Sequence, residues 1–396
     1  MDARALRRGI PGRPHGSGGV SAAGQSPSVL HVIGDGSMGG GTTAVLQLAR
    51  RMRAAGADVR IATEPGSPLV AEAGLSGIRC YEIEFRRRRD SARIAVQLRR
   101  VMRDAAPDVV HAHGARAGLP CALLPRSGRP PLAYTVHGFH YHAKPFPMRS
   151  LARFSEMACI RRSDATVFVS ASDMATARRD GLATARTCQK VIYNGAEVPA
   201  CAGGAPTHDV AFLGRLHPQK NPLILAEIAR KAPHWRFLVI GDGELMPALR
   251  ARIAELGVED SFTFAGALRR EAALQALAGC RAMVLPSLWE GLPIAVAEAM
   301  HLGVPVVASD LPGLREMVVH DVTGYLAPSG RAELFADALW RLLHEEGAVA
   351  ESGARARERA ACLFSLDRQV SRHLSLYAGL MGRIPATNAA AGSRAG

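Results

Sequence analysis

From residue 28 onward, short apolar runs alternate with stretches in which apolar residues recur every three to four positions. The first series reads SVLHVIG, TTAVLQLARRMRAAG, DVRIAT, IAVQLRRVMRDAA, DVVHAHG, PLAYTVHG, DATVFVS and KVIYN. Near-continuous apolar runs predict strands covered on both faces, and the amphipathic stretches between them predict the helices that do the covering. The product is a parallel sheet between two helical layers. At 198–209 the segment VPACAGGAPTHD interrupts this rhythm with Pro, Gly and small residues and reads as a linker. The alternation then resumes in DVAFLGR, PLILAEIARKA, RFLVIGD, ELMPALRARIAELG, SFTFAG, REAALQALAG, RAMVLPS, PIAVAEAMHLG and VPVVAS. This is a second doubly wound unit, not a residue-level repeat of the first.

A chain of 396 residues with 48% hydrophobic content supports two cores rather than one. The expected organisation is α/β: a disordered tail over 1–27, a Rossmann-like domain over 28–197, the linker 198–209 and a second Rossmann-like domain over 210–365. A helix over 366–385 is expected to pack back toward the first domain, followed by a disordered tail over 386–396. Two such domains facing each other leave a central cleft between the carboxyl ends of their strands.

Charge changes this picture through its placement. Residues 1–200 hold 29 basic and 15 acidic side chains and the rest of the chain holds 20 of each, so the net +14 belongs to the first half. That half is expected to face something anionic: a membrane surface, a phosphorylated ligand or nucleic acid. In RRRRDSARIAVQLRRVMR (86–103), Ile94, Leu98 and Val101 form one helical stripe, with Arg93, Arg99, Arg100 and Arg103 largely off it and Arg86 to Arg89 leading in. Burying the stripe turns an arginine-rich face toward an anionic membrane. Seven scattered cysteines without a C-x-x-C indicate neither a disulfide framework nor a zinc knuckle and fit a reducing compartment. No stretch reaches the roughly 18 apolar residues of a membrane span, and the basic N-terminus lacks a signal-peptide core. The expected location is cytoplasmic, peripheral on the inner face of the cytoplasmic membrane.

Candidate chemistry lies in four stretches. GDGSMGGG, after the first strand, contains G-x-G-x-x-G at Gly34, Gly36 and Gly39, with Glu64 ending the next strand. It reads as a dinucleotide fingerprint, as a glycine loop whose backbone approaches a phosphate at a helix N-terminus, or as a tight turn. With the helix expected to begin near Thr42, the third glycine falls outside it. GRLHPQKNP (214–222) presents Arg215 and Lys220 at the carboxyl edge of the second sheet, where two cations suit a diphosphate. VIGDGEL (239–245) is another glycine turn over that edge. LWEGLPIAVAEAM (288–300) sets Glu290 in a loop and Glu298 inside the helix that Pro293 opens. Carboxylates so spaced accept hydrogen bonds from the vicinal hydroxyls of a sugar and a ribose, and the helix N-terminus favours an anion between them. Local salt bridges are the alternative.

With GRLHPQKN, VIGDGEL, LPSLWEGLPIAVAEAM, GVPVVASDLPGLREMV and DVTGYLAP in that order, the chain from about residue 28 to 380 resembles the retaining glycosyltransferases of family 4, which have the GT-B fold. The resemblance implies a nucleotide-diphosphate sugar donor, a UDP-sugar ahead of a GDP-sugar. It implies that Glu290 contacts the hydroxyls of the transferred sugar and that Glu298 binds the ribose. Arg215 and Lys220 would bind the donor diphosphate, and Gly39 and Gly40 would approach the same phosphates. His137 matches a histidine near the reacting sugar and joins Glu290 as a catalytic residue. Thr42 stands where many relatives have glutamate.

HGFHYHAKPFP (137–147) is similar to the loop of family members that build bacterial surface polysaccharides on lipid-linked acceptors, which implies a lipid-linked or glycan acceptor. The resemblance implies no metal cofactor, and no D-x-D pair occurs in the chain. A metal cluster of His111, His113, His137, His140 and His142 is the alternative; otherwise His111 and His113 are a cleft wall and a core contact. In the implied reaction, the leaving diphosphate is stabilised by Arg215, Lys220, the glycine loop and helix dipoles. Two other classes compete: a nicotinamide oxidoreductase built on G-x-G-x-x-G, and a basic nucleic-acid binder led by FRRRRD, which lacks the interleaved aromatics that stacking needs.

Overall fold

The computed structural model describes residues 26–85, 90–127, 129–139, 141, 145–184, 187–200 and 205–382. Most of the N-terminal tail, the C-terminal tail, Arg86 to Arg89, His140 and His142 lie outside the described residues. The first sheet has seven strands: β1 (Ser28–Ile33), β2 (Asp58–Thr63), β3 (Arg79–Glu82), β4 (Val109–His113), β5 (Leu132–Val136), β6 (Ala165–Phe168) and β7 (Cys188–Val191). The second has six: β8 (His208–Leu213), β9 (Phe237–Ile240), β10 (Phe262–Gly266), β11 (Cys280–Leu285), β12 (Val306–Ser309) and β13 (Gly324–Ala327). Their orders are β3-β2-β1-β4-β5-β6-β7 and β10-β9-β8-β11-β12-β13, and neighbouring strands run parallel.

The apolar runs follow from this topology. In β8, Val210 and Phe212 enter the core under helices Ile224–Lys231 and Ala332–His344, while Ala211 enters the opposite core under Ile294–Leu302. In β1, Leu30 and Val32 face one layer and Val29 and Ile33 the other. Each strand therefore needs apolar residues at successive positions, not alternate ones. The final helix, Leu366–Met381, buries Val370, Tyr377 and Leu380 in the first domain's core beside Val45 and Leu48 of the helix Gly40–Ala54.

Strand order reverses at β1/β4 and at β8/β11. Chains leaving such neighbours diverge, so the loops after these four strands open into a crevice. Two boundaries differ from the sequence reading. β8 starts at His208, two residues inside the segment read as linker, because His208 pairs with Cys280. The first helix starts at Gly40, not near Thr42, with Gly39 as its cap. Helix Gly114–Leu123 and strand β3 escape the pattern because the helix opens on glycine and contains Pro120, while RCYE is a short, half-exposed edge strand.

Candidate active site

The loops after β8 and β11 meet at the second switch point. A single turn, Pro218–Lys220, opens with Nδ1 of His217 accepting from the Gln219 amide at 3.1 Å and closes on Asn221, whose φ is 48°. It delivers Lys220 Nζ to 2.5 Å from Oε1 of Glu290, where Ser287 Oγ also donates at 2.7 Å. Gln219 donates to the Trp289 carbonyl at 3.0 Å and to Oε2 of Glu290 at 3.4 Å. Only 17% of the Lys220 side chain and 6% of that of Glu290 remain exposed. Arg215, exposed on the same loop, forms no ion pair with another described residue. Glycine is required beside this loop: Gly241 has φ 137°, and a Cβ there would lie 2.0 Å from the Gly214 carbonyl oxygen. Likewise, a Cβ on Gly313 would lie 1.7 Å from the carbonyl oxygen of Gly291.

The first domain supplies the opposite wall. Around Gly39 and Gly41 a Cβ would meet nothing within 4 Å, so the backbone there is open to a ligand. A Cβ on Gly40 would lie 3.7 Å from Cγ2 of Ile294, the first residue of helix Ile294–Leu302. Two helix N-termini thus converge between the domains, each carrying about half a positive charge, an arrangement that favours an anion between them. Thr42 donates to the Asp35 carbonyl at 3.3 Å. His137 follows β5, and a Cβ on Gly291 would lie 2.9 Å from its carbonyl oxygen, so His137 and the Glu290 loop touch across the domain boundary. His137, Glu290, Lys220 and the Gly39–Gly40 turn are brought to one cleft.

Glu298 is held differently. Its Oε1 accepts from Nε of Arg270 at 3.0 Å and lies 2.9 Å from Nη2 in the same ion pair, while Nη2 donates to the Gln47 side chain at 3.2 Å and to the Glu197 carbonyl. Burial pushes the Glu298 carboxyl above its ordinary range, and Arg270 opposes that shift. The carboxylate is already committed to a cation at the domain junction, so a ribose would have to share it with Arg270.

Comparison with known proteins adds the decisive finding. "Glycosyltransferase Family 4" matches residues 38–198, and "Glycosyl transferases group 1" matches 206–361. The chain belongs to the family 4 glycosyltransferases. It is 25% identical over 305 residues to the UDP-Gal:alpha-D-GlcNAc-diphosphoundecaprenol alpha-1,3-galactosyltransferase of Escherichia coli, covering 71% of this chain and 78% of that one. It is 26% identical over 380 residues to the GDP-mannose:cellobiosyl-diphosphopolyprenol alpha-mannosyltransferase of Xanthomonas campestris, covering 89% and 97%. Anabaena Alr3699/HepE, solved with UDP and glucose, shares the fold at TM-score 0.77 and 19% identity, over 89% of this chain and all of that one. The glycosyltransferase has the GT-B architecture, and the nicotinamide and nucleic-acid readings give way to it: Gly39 caps the first helix and Gly40 faces Ile294 of the second domain.

The histidines of this glycosyltransferase regroup. His31 Nδ1 lies 2.9 Å from His113 Nε2, and His113 Nδ1 lies 3.2 Å from His137 Nε2, a line running from the cleft into the core. His111 bonds the Tyr377 hydroxyl and Thr135 Oγ1, both at 2.6 Å, and its ring centroid is 5.4 Å from that of His373. Burial lowers His31 to about 3 and His373 to about 4, and takes His111 and His113 well below their ordinary value. His31, His111 and His113 bring nitrogens within 4.8 Å of one another, the described histidine group best placed for a metal ion. Every nitrogen of the three except Nε2 of His31 already faces a hydrogen-bonding partner. They form a hydrogen-bonded cluster of neutral imidazoles rather than an open ligand set.

Sequence reasoning missed Arg270, His31, His373 and Glu316. The Glu316 carboxylate, from the second domain, accepts from the amides of Ala171 and Ser172 at 2.8 and 2.7 Å and from the Tyr193 hydroxyl at 2.9 Å. It caps the first-domain helix Ala171–Arg179 across the boundary. A glutamate inside the matched GLREMV stretch was the only signal for it.

Proposed function

We propose that this glycosyltransferase moves a hexosyl or N-acetylhexosaminyl group, with retention, from a nucleotide-diphosphate sugar to a hydroxyl of a lipid-linked glycan in polysaccharide or glycolipid biosynthesis. The observation that carries the reading is the buried Lys220–Glu290 pair beside His137. A diphosphate entering between the two helix N-termini competes for Lys220 and frees Oε1 of Glu290 to accept from a sugar hydroxyl. Arg215 then adds a second cation to the phosphates. As the glycosidic bond breaks, these groups stabilise the leaving oxygen without proton transfer from the protein. The acceptor hydroxyl attacks on the leaving-group face, and the departing phosphate oxygen takes its proton. UDP-sugars are favoured as donors because the Escherichia coli relative is named for UDP-Gal and the Anabaena protein was solved with UDP. The names of the Escherichia coli and Xanthomonas campestris relatives carry a polyprenol-linked acceptor, which supports a lipid-linked acceptor and work at the inner face of the cytoplasmic membrane. Among the described residues no helix is long and apolar enough to cross a membrane.

A thermal-shift panel of UDP- and GDP-sugars tests the donor, since a ligand at a hundred times its dissociation constant adds about 2.7 kcal/mol. Stabilisation by a UDP-sugar is expected; no shift with any member would overturn the donor assignment. The anomeric proton coupling of the product tests retention, and an inverted linkage would overturn it.

A further inference from the structure

Large exposed apolar side chains are scattered over most of the surface, but four fall within nine residues of each other. Phe146 is 84% exposed, Met148 48%, Leu151 53% and Phe154 60%. They begin just before the helix Met148–Arg162 and recur on it at intervals of three, which keeps them along one flank. Arg149 and Arg153, four apart, run along another flank, and Arg153 also donates to the Asp180 carbonyl at 2.5 Å. From 137 to 155 the sequence contains no Asp or Glu. Isolated exposed apolar residues need no explanation, but a cluster rimmed by cations does.

The position of the patch is informative. This helix packs beside Gly114–Leu123, which packs beside Ser91–Ala105, and all three cover the same core on one face of the first sheet. Arg93, Arg99, Arg100 and Arg103 are exposed on the outermost of these helices. Because Met148–Arg162 follows β5, its first turn lies at the carboxyl edge of the sheet, the edge that carries His137. An acidic protein would match the arginines without the aromatics. A second copy of this patch would set like charges against each other.

We propose that Phe146, Met148, Leu151 and Phe154 insert into an anionic lipid bilayer, with Arg149, Arg153 and the arginines of Ser91–Ala105 facing its phosphates. The inference rests on the reading of a lipid-linked acceptor and names the surface that would hold the cleft against the membrane carrying it. It moves the insertion point away from the arginine-rich helix alone.

Flotation tests it with vesicles of equal parts phosphatidylglycerol and phosphatidylcholine, against phosphatidylcholine alone. The wild-type chain is expected to float with the anionic vesicles. Phe146→Ser/Leu151→Ser/Phe154→Ser should lower the partition coefficient by more than about a hundredfold, given the transfer energies of three such side chains. Arg93→Ser/Arg99→Ser/Arg100→Ser/Arg103→Ser should lower it by a salt-dependent factor of roughly five for each charge that reaches the surface. Equal flotation of the apolar variant and the wild type, or no flotation of the wild type, would overturn the proposal. So would a lipid-free dimer of the wild type that the apolar variant dissolves while neither floats. If the triple variant does not fold, Phe146→Glu, at the most exposed of these positions, takes its place with the same expected loss. Flotation uses neither donor nor acceptor, so lost flotation with UDP binding intact bears on this surface, whereas absent UDP binding in the wild type bears on the donor reading.

Discussion

The ammonium of Lys220 sits 2.5 Å from Oε1 of Glu290, in a pair largely withdrawn from solvent. Two groups implied separately, one for phosphate and one for sugar, are thus partners before any donor arrives. Removing one partner of a buried pair strands the other, at a cost of about 3–5 kcal/mol.

Lys220→Met should therefore lower stability by an amount of that order and weaken UDP binding, and adding Glu290→Gln should restore part of the stability. Glu290→Gln alone should reduce turnover about ten- to a hundredfold, the worth of one hydrogen bond to a charged acceptor, while UDP affinity is kept or rises because the diphosphate no longer competes with that carboxylate for Lys220. Calorimetric titration of UDP beside turnover makes the comparison. A large affinity loss in Glu290→Gln would contradict the sugar role.

Glu298→Gln should instead weaken free UDP directly, because the ribose is present in donor and product alike. Arg270→Ala should do so in a pH-dependent way. Burial raises the Glu298 carboxyl and Arg270 holds it down. Without that cation the protonated form persists to higher pH, and UDP affinity should fall as pH is lowered through the weakly acidic range. A flat affinity profile for Arg270→Ala would show that Glu298 does not accept from the nucleotide.

Acid should destabilise the first domain. His31 is lowered to about 3 and His373 to about 4, against an ordinary 6.5, so between these values the unfolded chain binds protons that the folded chain refuses. Stability is then fully present above about 6.5 and lost as pH falls through that window, each imidazole steepening the slope by up to about 1.4 kcal/mol per pH unit. Asp173, raised by burial to about 6, works in the opposite direction, its contribution falling as pH rises from 3.8 to 6. With His111 and His113 also lowered, the imidazoles outnumber it. Melting temperature measured from pH 7 to 4 should drop steeply, and His373→Asn should flatten the curve.

Glu316 ties the two domains together through two amides and a hydroxyl. Glu316→Ala should loosen the closed arrangement, enlarging the radius of gyration in small-angle scattering and raising KM for the acceptor roughly tenfold, the worth of about one charged hydrogen bond. An unchanged radius would show that closure rests on the apolar contacts around Ala44 and Ile294.

By itself the sequence determined the two parallel sheets, because strands covered on both faces must be apolar at successive positions and that demand is visible locally in VAFL or MVL. It also marked the loops that press on the switch-point turns, because glycines such as Gly241 and Gly313 stand where the backbone of Gly214 or Gly291 passes too close for any side chain. What only the tertiary structure decided is who meets whom. Arg270 reaches Glu298 and Gln47 from a helix with no motif, His31 and His373 join His111 from opposite ends of the chain, and the last helix completes the first domain's core. These contacts are set by strand order and by the closing of one domain on the other, and neither leaves a periodicity in the residues that make them.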